Sequence, residues 1–430
     1  MGSRMWVVTV LIGGLLWLLT ACAAPKSDAA AGPASNPTPQ APVTATPAPP
    51  GLAPTHNPLQ PLSLPTASPA ERQVASHTWL YLSTFQSFNV NVIDPLSGHT
   101  LHEVPTSGDR AGIGVAPDGR RLYVLDGLPG EEQLRVFDTS TWQVVHQEPV
   151  ARLARMFINP VALSGDGRWL LVRHYDYDRN RVWNSIFDTK RLEFLPDDAW
   201  GLPQCSDDIL MVGLIGRPGH PRLYTVCNDV LVALDSDTLT TLWQRPLPAG
   251  PHPDLALGPD GQRLYGLFPQ VTMDHSPDGY QYRVSETDLR LLAWETMGGQ
   301  SVHDIQLSQQ VTVPLATIGR GDAGYLAIAP DGERLYVAWE DRLWALATET
   351  MQVVDELQLP APVDGMALSI DGRELYLLPA TSGDLRLRGH GLWTFGTTTL
   401  KLVRHASDWP QNVPLFAPLF VAAPAPETHK

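Results

Sequence analysis

The stretch Ala329-Pro330-Asp331-Gly332-Glu333-Arg334-Leu335-Tyr336-Val337 decides the fold, because the chain keeps returning to it. Asp118-Gly119-Arg120-Arg121-Leu122-Tyr123, Asp260-Gly261-Gln262-Arg263-Leu264-Tyr265 and Asp371-Gly372-Arg373-Glu374-Leu375-Tyr376 repeat its Asp-Gly, two residues, Leu-Tyr pattern. Weaker copies are Asp166-Gly167-Arg168-Trp169-Leu170-Leu171 and Gly219-His220-Pro221-Arg222-Leu223-Tyr224, and a seventh retains only Trp79-Leu80-Tyr81. Pro117, Pro259 and Pro330 fix φ ahead of the turn, Asp bonds its own backbone and Gly accepts φ > 0. Each copy therefore reads as a tight hairpin.

The hairpin joins two strands of different character. Ile113-Gly114-Val115-Ala116, Leu255-Ala256-Leu257-Gly258, Leu326-Ala327-Ile328-Ala329 and Met366-Ala367-Leu368-Ser369 place small residues at alternate positions. That suits a crowded innermost strand beside a central channel. The Leu-Tyr strand that follows is a short continuous apolar run and reads as buried on both faces. A third strand, Leu134-Arg135-Val136-Phe137-Asp138-Thr139 in one copy and Leu343-Trp344-Ala345-Leu346-Ala347 in another, ends in an Asx- or Thr-rich turn leading to a fourth. Seven such third strands match seven second strands in order and phase. A period of roughly 40 to 50 residues built from short strands predicts an all-β, seven-bladed propeller of four-stranded antiparallel blades.

The ends of the chain say how the ring closes. The first copy begins at its second strand, with only Pro-rich sequence ahead of it. After the last fourth strand, Pro418-Leu419-Phe420-Val421-Ala422-Ala423-Pro424 repeats the inner-strand pattern. The tail is thus expected to supply the missing inner strand of the first blade, with 419–422 pairing against 79–82, since closure removes two open sheet edges.

The cycle of apolar strand, Pro-Asp-Gly, Leu-Tyr-Val, Val-x-Val-Ile-Asp and Thr-x-x-Val-Val resembles YVTN-type and WD40-like bacterial propeller repeats from about His77 to the C-terminus. Relatives of that shape include surface-layer adhesins, scaffolds, lactonases and subunits of quinone or haem dehydrogenases. The resemblance implies a fold and leaves the activity open.

Arg4 followed by the apolar run 5–19 suits a signal-peptide core and is short for a membrane-spanning helix. Leu19-Thr20-Ala21-Cys22 resembles the lipobox of bacterial lipoproteins, which implies cleavage before Cys22 and a lipid on its sulfur. The expected organisation is a signal peptide over 1–21, lipidated Cys22 and a disordered Pro/Ala/Thr-rich tether over 22–76, a propeller over 77–424 and a tail over 425–430. That places the protein in the bacterial cell envelope, exported and anchored by lipid on the periplasmic or cell-surface side.

Beyond residue 75 there remain 43 acidic and 27 basic residues. A domain this acidic repels phosphate backbones, so nucleic acid is excluded as a partner. A monomer is expected, with another envelope protein or a small ligand as its partner. No Cys-x-x-Cys-His, Gly-x-Ser-x-Gly or His-Glu-x-x-His occurs. No cofactor is expected, although the acidity is compatible with a divalent cation such as calcium. Cys205 and Cys227 are candidates for a disulfide, two inert thiols being the alternative.

Two insertions depart from the repeat. One, 173–181, carries His174, Asp176 and Asp178 in a polar-aromatic loop; the other, 269–288, carries Asp274, His275 and Asp278. Each could ligate a divalent ion, or be a solvated long hairpin. The connections entering the inner strands bring Asp109, Arg110, His252, Asp254, Arg320, Asp322 and Asp364 toward one mouth of the channel. Such a ring can bind a ligand or partner, supply a base, or be a rim of mutual salt bridges. The function expected is a binding or scaffolding module without catalytic residues. The alternatives are an enzyme of lactonase or metal-assisted lyase type working at the mouth, or an accessory subunit of a redox complex.

Overall fold

The computed structural model of the chain describes residues 78–83, 88–107, 111–128, 131–150, 161–176, 181–196, 215–217, 219–227, 229–248, 254–275, 282–314, 324–379, 391–406 and 419–422. The chain divides into two units, Met1–Pro58 and Leu59–Lys430, and every described residue belongs to the second.

Seven antiparallel sheets form the seven blades of a β-propeller. Six have four strands, and the inner strand of blade 4 is reduced, among the described residues, to the single bridge Ile215↔Tyr224. Described helix is limited to one 3-10 turn, Leu307–Gln309. In blade 1 the sheet order is Leu419–Ala422, Trp79–Ser83, Asn89–Ile93, Thr100–Pro105. The tail therefore closes the ring in the expected register, Trp79↔Ala422, Leu80↔Val421, Tyr81↔Phe420 and Leu82↔Leu419.

The second strands form the buried layer. Tyr81, Tyr123, Tyr224, Tyr336 and Tyr376 are all within 2% of full burial, and the leucines before them are completely enclosed. Each apolar cluster spans a seam between two consecutive blades. Tyr336, Ala338 and Leu343 of blade 6 meet Leu375, Leu377 and Phe395 of blade 7, for example.

Three devices recur at the turn end of these seams. The first is the fit of proline on glycine. A Cβ built on Gly167 or Gly332 would stand 2.8 Å from Pro117 or Pro259, the turn proline of the preceding blade. The second is a threonine after the third strand. Thr139, Thr189, Thr296, Thr348 and Thr397 each donate a hydroxyl bond of 2.5–2.7 Å to the carbonyl of the Asp-Gly glycine in their own blade. The third is a side chain in left-handed backbone four residues past the end of the third strand. Trp142, Leu192, Leu239, Met351 and Leu400 have φ between 48° and 58°. Leu239, Met351 and Leu400 each bury their side chain against the preceding blade.

A register shift separates the third and outer strands in blades 1, 2, 4, 5, 6 and 7. These bulges twist the rim strands, and Pro105, Pro149 and Pro246 end three of them. Both features discourage edge-to-edge pairing.

Candidate functional site

Strand direction puts three features at one end of the ring: the starts of the inner strands, the connections between second and third strands, and the crossings from one blade to the next. The Asp-Gly and Thr turns occupy the opposite end. At the first end the described mouth residues form a polar chain across blades 5, 6 and 7. Asp254 opens the inner strand Asp254–Leu257. Its carboxylate accepts the backbone N–H of Leu255 at 3.0 Å and that of Leu326 at 2.6 Å, the latter on the neighbouring inner strand Tyr325–Ile328. Tyr325 in turn donates its hydroxyl to the carbonyl of Asp364 at 2.6 Å. Asp364 is buried at a register shift in the inner strand Val363–Leu368.

Burial pushes the Asp254 carboxyl up to about 7, against the two N–H bonds that favour its ionised form. The group can thus hold or release a proton near neutrality. Of the expected mouth residues, Asp254 and Asp364 are placed here, while Asp109, Arg110, His252, Arg320 and Asp322 lie outside the described residues. Tyr325 escaped the sequence reading because an aromatic residue opening an apolar strand looks like core. The signal that identifies it is its position, first in the inner strand, where Asp254 stands in the blade before.

A second polar knot closes the same end of blade 2. Asp126 is buried at the end of its strand and accepts from Ser107 N at 2.6 Å, Ser107 Oγ at 3.0 Å and Arg135 Nη2 at 2.6 Å. Arg135 Nη2 also donates to Pro105 O at 2.8 Å. This knot ties blade 2 to the chain that enters it.

The two insertions are strand rather than loop over much of their length. Within 173–181 the described residues are ladder, in line with the long-hairpin reading: Trp169–Asp176 pairs with Arg181–Asp188, with His174 opposite Trp183 and Asp176 opposite Arg181. His174, on this ladder, is buried instead of solvated. Asp178 lies outside the described residues. The second insertion is a two-stranded ribbon, Arg263–His275 against Tyr282–Glu295, with Asp274 opposite Arg283 and His275 opposite Tyr282. Asp278 lies outside the described residues. Among the described residues, no three His, Cys, Asp or Glu side chains group closely enough to hold a metal ion.

Among the described residues, the ribbon is the largest departure from seven-fold regularity. The inner strand of blade 5 pairs only as far as Leu267, and the outer strand begins its pairing at Arg290. Between those points the two ribbon strands have, among the described residues, only each other as ladder partners, for about eight residues or roughly 25 Å. The base is buttressed by fully buried Leu289 and Leu307, with Val271, Val311 and Val313 packed against them. Ser308 N adds a bond of 3.1 Å to Asp288 Oδ1.

Cys227 ends the second strand of blade 4 and is buried. Cys205 and Cys22 lie outside the described residues.

No protein-family model and no curated protein matches the chain. Among solved structures, a functionally unknown protein from Desulfotomaculum acetoxidans aligns with 81% of this chain and 100% of its own, at 14% identity and a TM-score of 0.53. That likeness shows the fold alone. The dihydro-heme d1 dehydrogenase NirN aligns at 17% identity over 80% of this chain and 66% of its own, with a TM-score of 0.49. Apo AztD from Citrobacter koseri aligns at 14% identity over 81% and 99%, with a TM-score of 0.48.

Proposed function

We propose that the chain is a lipid-anchored, extracytoplasmic binding or scaffolding module that engages its partner at the end of the ring where the inner strands begin. The observation that carries this reading is the buttressed ribbon of blade 5, which runs on past its neighbours at that end. Five of the seven blades carry the same threonine staple at the turn end, whereas the ribbon projects at the mouth end from a buried base, an arrangement binding proteins commonly use. The test replaces 273–285 by Asn-Gly, which joins the cross-strand pair Thr272 and Glu286. The melting temperature should stay unchanged while partners cross-linked in intact envelopes are lost. An unchanged set of cross-linked partners would remove the ribbon from the account.

A second reading, catalysis at the mouth, draws support from Asp254 alone, whose carboxyl titrates near neutrality. It requires a substrate whose turnover falls when Asp254 is replaced by Asn.

Export and anchoring rest on Leu19-Thr20-Ala21-Cys22. A palmitate analogue should label the wild type, and Cys22→Ala should abolish the label and release the protein from membranes. We also assign Cys205 and Cys227 to a disulfide, a reading supported by the burial of Cys227 in an exported chain. Non-reducing peptide mapping that recovers the two cysteines unlinked would refute it.

A further inference from the structure

Among the arginines at equivalent positions around the ring, Arg222 has a contact of a different kind. The residue before Leu-Tyr normally donates to the carbonyl that follows the third strand of the next blade. Arg121 Nη1 reaches Thr189 O at 2.7 Å, Trp169 Nε1 reaches Ser236 O at 2.7 Å and Arg334 Nη1 reaches Thr397 O at 3.2 Å. Arg222 holds this position in blade 4, and Thr296 O is the equivalent acceptor in blade 5. That carbonyl accepts instead from Trp243 Nε1 at 3.2 Å, and Arg222 Nη1 donates to the sulfur of Met297 at 2.8 Å. Met297 is 73% exposed. By contrast Met351 is fully enclosed and Met366 is partly buried.

A thioether sulfur is a weak acceptor, so this guanidinium N–H is poorly matched in the only seam that uses one among the described residues. We propose that Met297 is an oxidation site whose sulfoxide oxygen is held by Arg222, so that oxidation tightens the junction between blades 4 and 5. The oxidant is a hydroperoxide. A sulfur lone pair attacks one peroxide oxygen, the O–O bond breaks, the S–O bond forms, and the remaining oxygen leaves as water or an alcohol once the proton is transferred to it. Sulfur gives up the two electrons that the peroxide gains. In a core, the new oxygen would be an unsatisfied polar group. At Met297 it meets solvent and a guanidinium already in contact, which turns a weak N–H···S contact into a charge-assisted N–H···O bond.

The experiment treats the full chain with hydrogen peroxide, maps the modification by peptide mass spectrometry and compares melting before and after. Met297 should gain one oxygen under conditions that leave Met351 unmodified. Oxidation should raise the wild-type melting temperature by about 1–2 °C relative to the change seen in Met297→Leu, which corrects for the other methionines. The rise should vanish in Arg222→Gln. Equal reactivity of Met297 and Met351 would overturn the proposal, and so would a wild-type shift no more positive than that of Met297→Leu. The second comparison decides the matter even if Arg222→Gln fails to fold.

Discussion

Gly332 and Gly219 share one backbone conformation, φ +78° and +77°, in different surroundings. A Cβ on Gly332 would press on Pro259, whereas one on Gly219 has nothing within 4 Å. Both alanine substitutions incur the left-handed backbone cost of about 1–2 kcal/mol. Gly332→Ala adds overpacking of about 1–3 kcal/mol, so it should be the more destabilising of the two in urea melts. Equal losses would show that the proline-on-glycine fit contributes nothing. Leu239 is the converse, a left-handed residue whose side chain is 1% exposed. Leu239→Gly relieves the backbone but removes a buried leucine, so a net loss of about 2 kcal/mol is expected from equilibrium unfolding. Asp254 adds a pH signature. Its folded-state pKa, about 7, lies above the ordinary carboxylate value. The folded protein therefore binds more protons than the unfolded chain between about pH 4 and about pH 7, and this group's contribution to stability falls as pH rises through that window. Asp254→Asn should flatten the corresponding part of the stability–pH curve, measured by denaturation at several pH values.

Within a blade, the hairpins, the apolar second strands and the phase of the third strands were legible in the sequence, because Asp-Gly turns and short apolar runs announce themselves locally. The threonine after the third strand was legible only as a turn residue. Its hydroxyl bond to a glycine carbonyl some 16 to 35 positions earlier depends on the blade being assembled. The targets of the arginines before Leu-Tyr were hidden for the same reason, since they lie 63 to 85 residues away on the next blade. At 173–181 the sequence left a metal-binding loop and a long hairpin open, because polar residues at the end of a long ladder look like a turn when the partner strand is unknown; the described residues there are ladder. The mouth was legible at Asp254 and Asp364 and not at Tyr325. Thr296→Val keeps the shape and removes the hydroxyl that reaches Gly261 O at 2.7 Å in a buried setting. It should lower stability by about 1 kcal/mol in urea denaturation. A neutral result would make the staple a bystander.

Across the whole ring, the seam between blades 7 and 1 is built differently from the rest. The position before Leu-Tyr in blade 7 is Glu374, buried and engaged by Tyr376 Oη at 3.0 Å and by Arg404 of its own blade. It makes no cross-seam bond of the kind the arginines make, and Pro95 stands in blade 1 where other blades carry threonine or serine. Gly98 takes the left-handed position there, its missing Cβ leaving room for Ala406. Leu80, Leu82 and Ile93 against Tyr376, Leu378 and Leu392 form the apolar contact, and the tail strand supplies the backbone pairing. A chain ending at Asn412 should therefore lose cooperative melting at the wild-type temperature, because the inner edge of blade 1 is left open. The most direct test of the closed ring is amide hydrogen exchange in the full-length protein. Residues 79–82 and Leu419–Ala422 should exchange together and as slowly as the central strand Arg334–Trp339. Fast, unprotected exchange at Leu419–Ala422 alongside a slow Arg334–Trp339 would contradict closure by the tail.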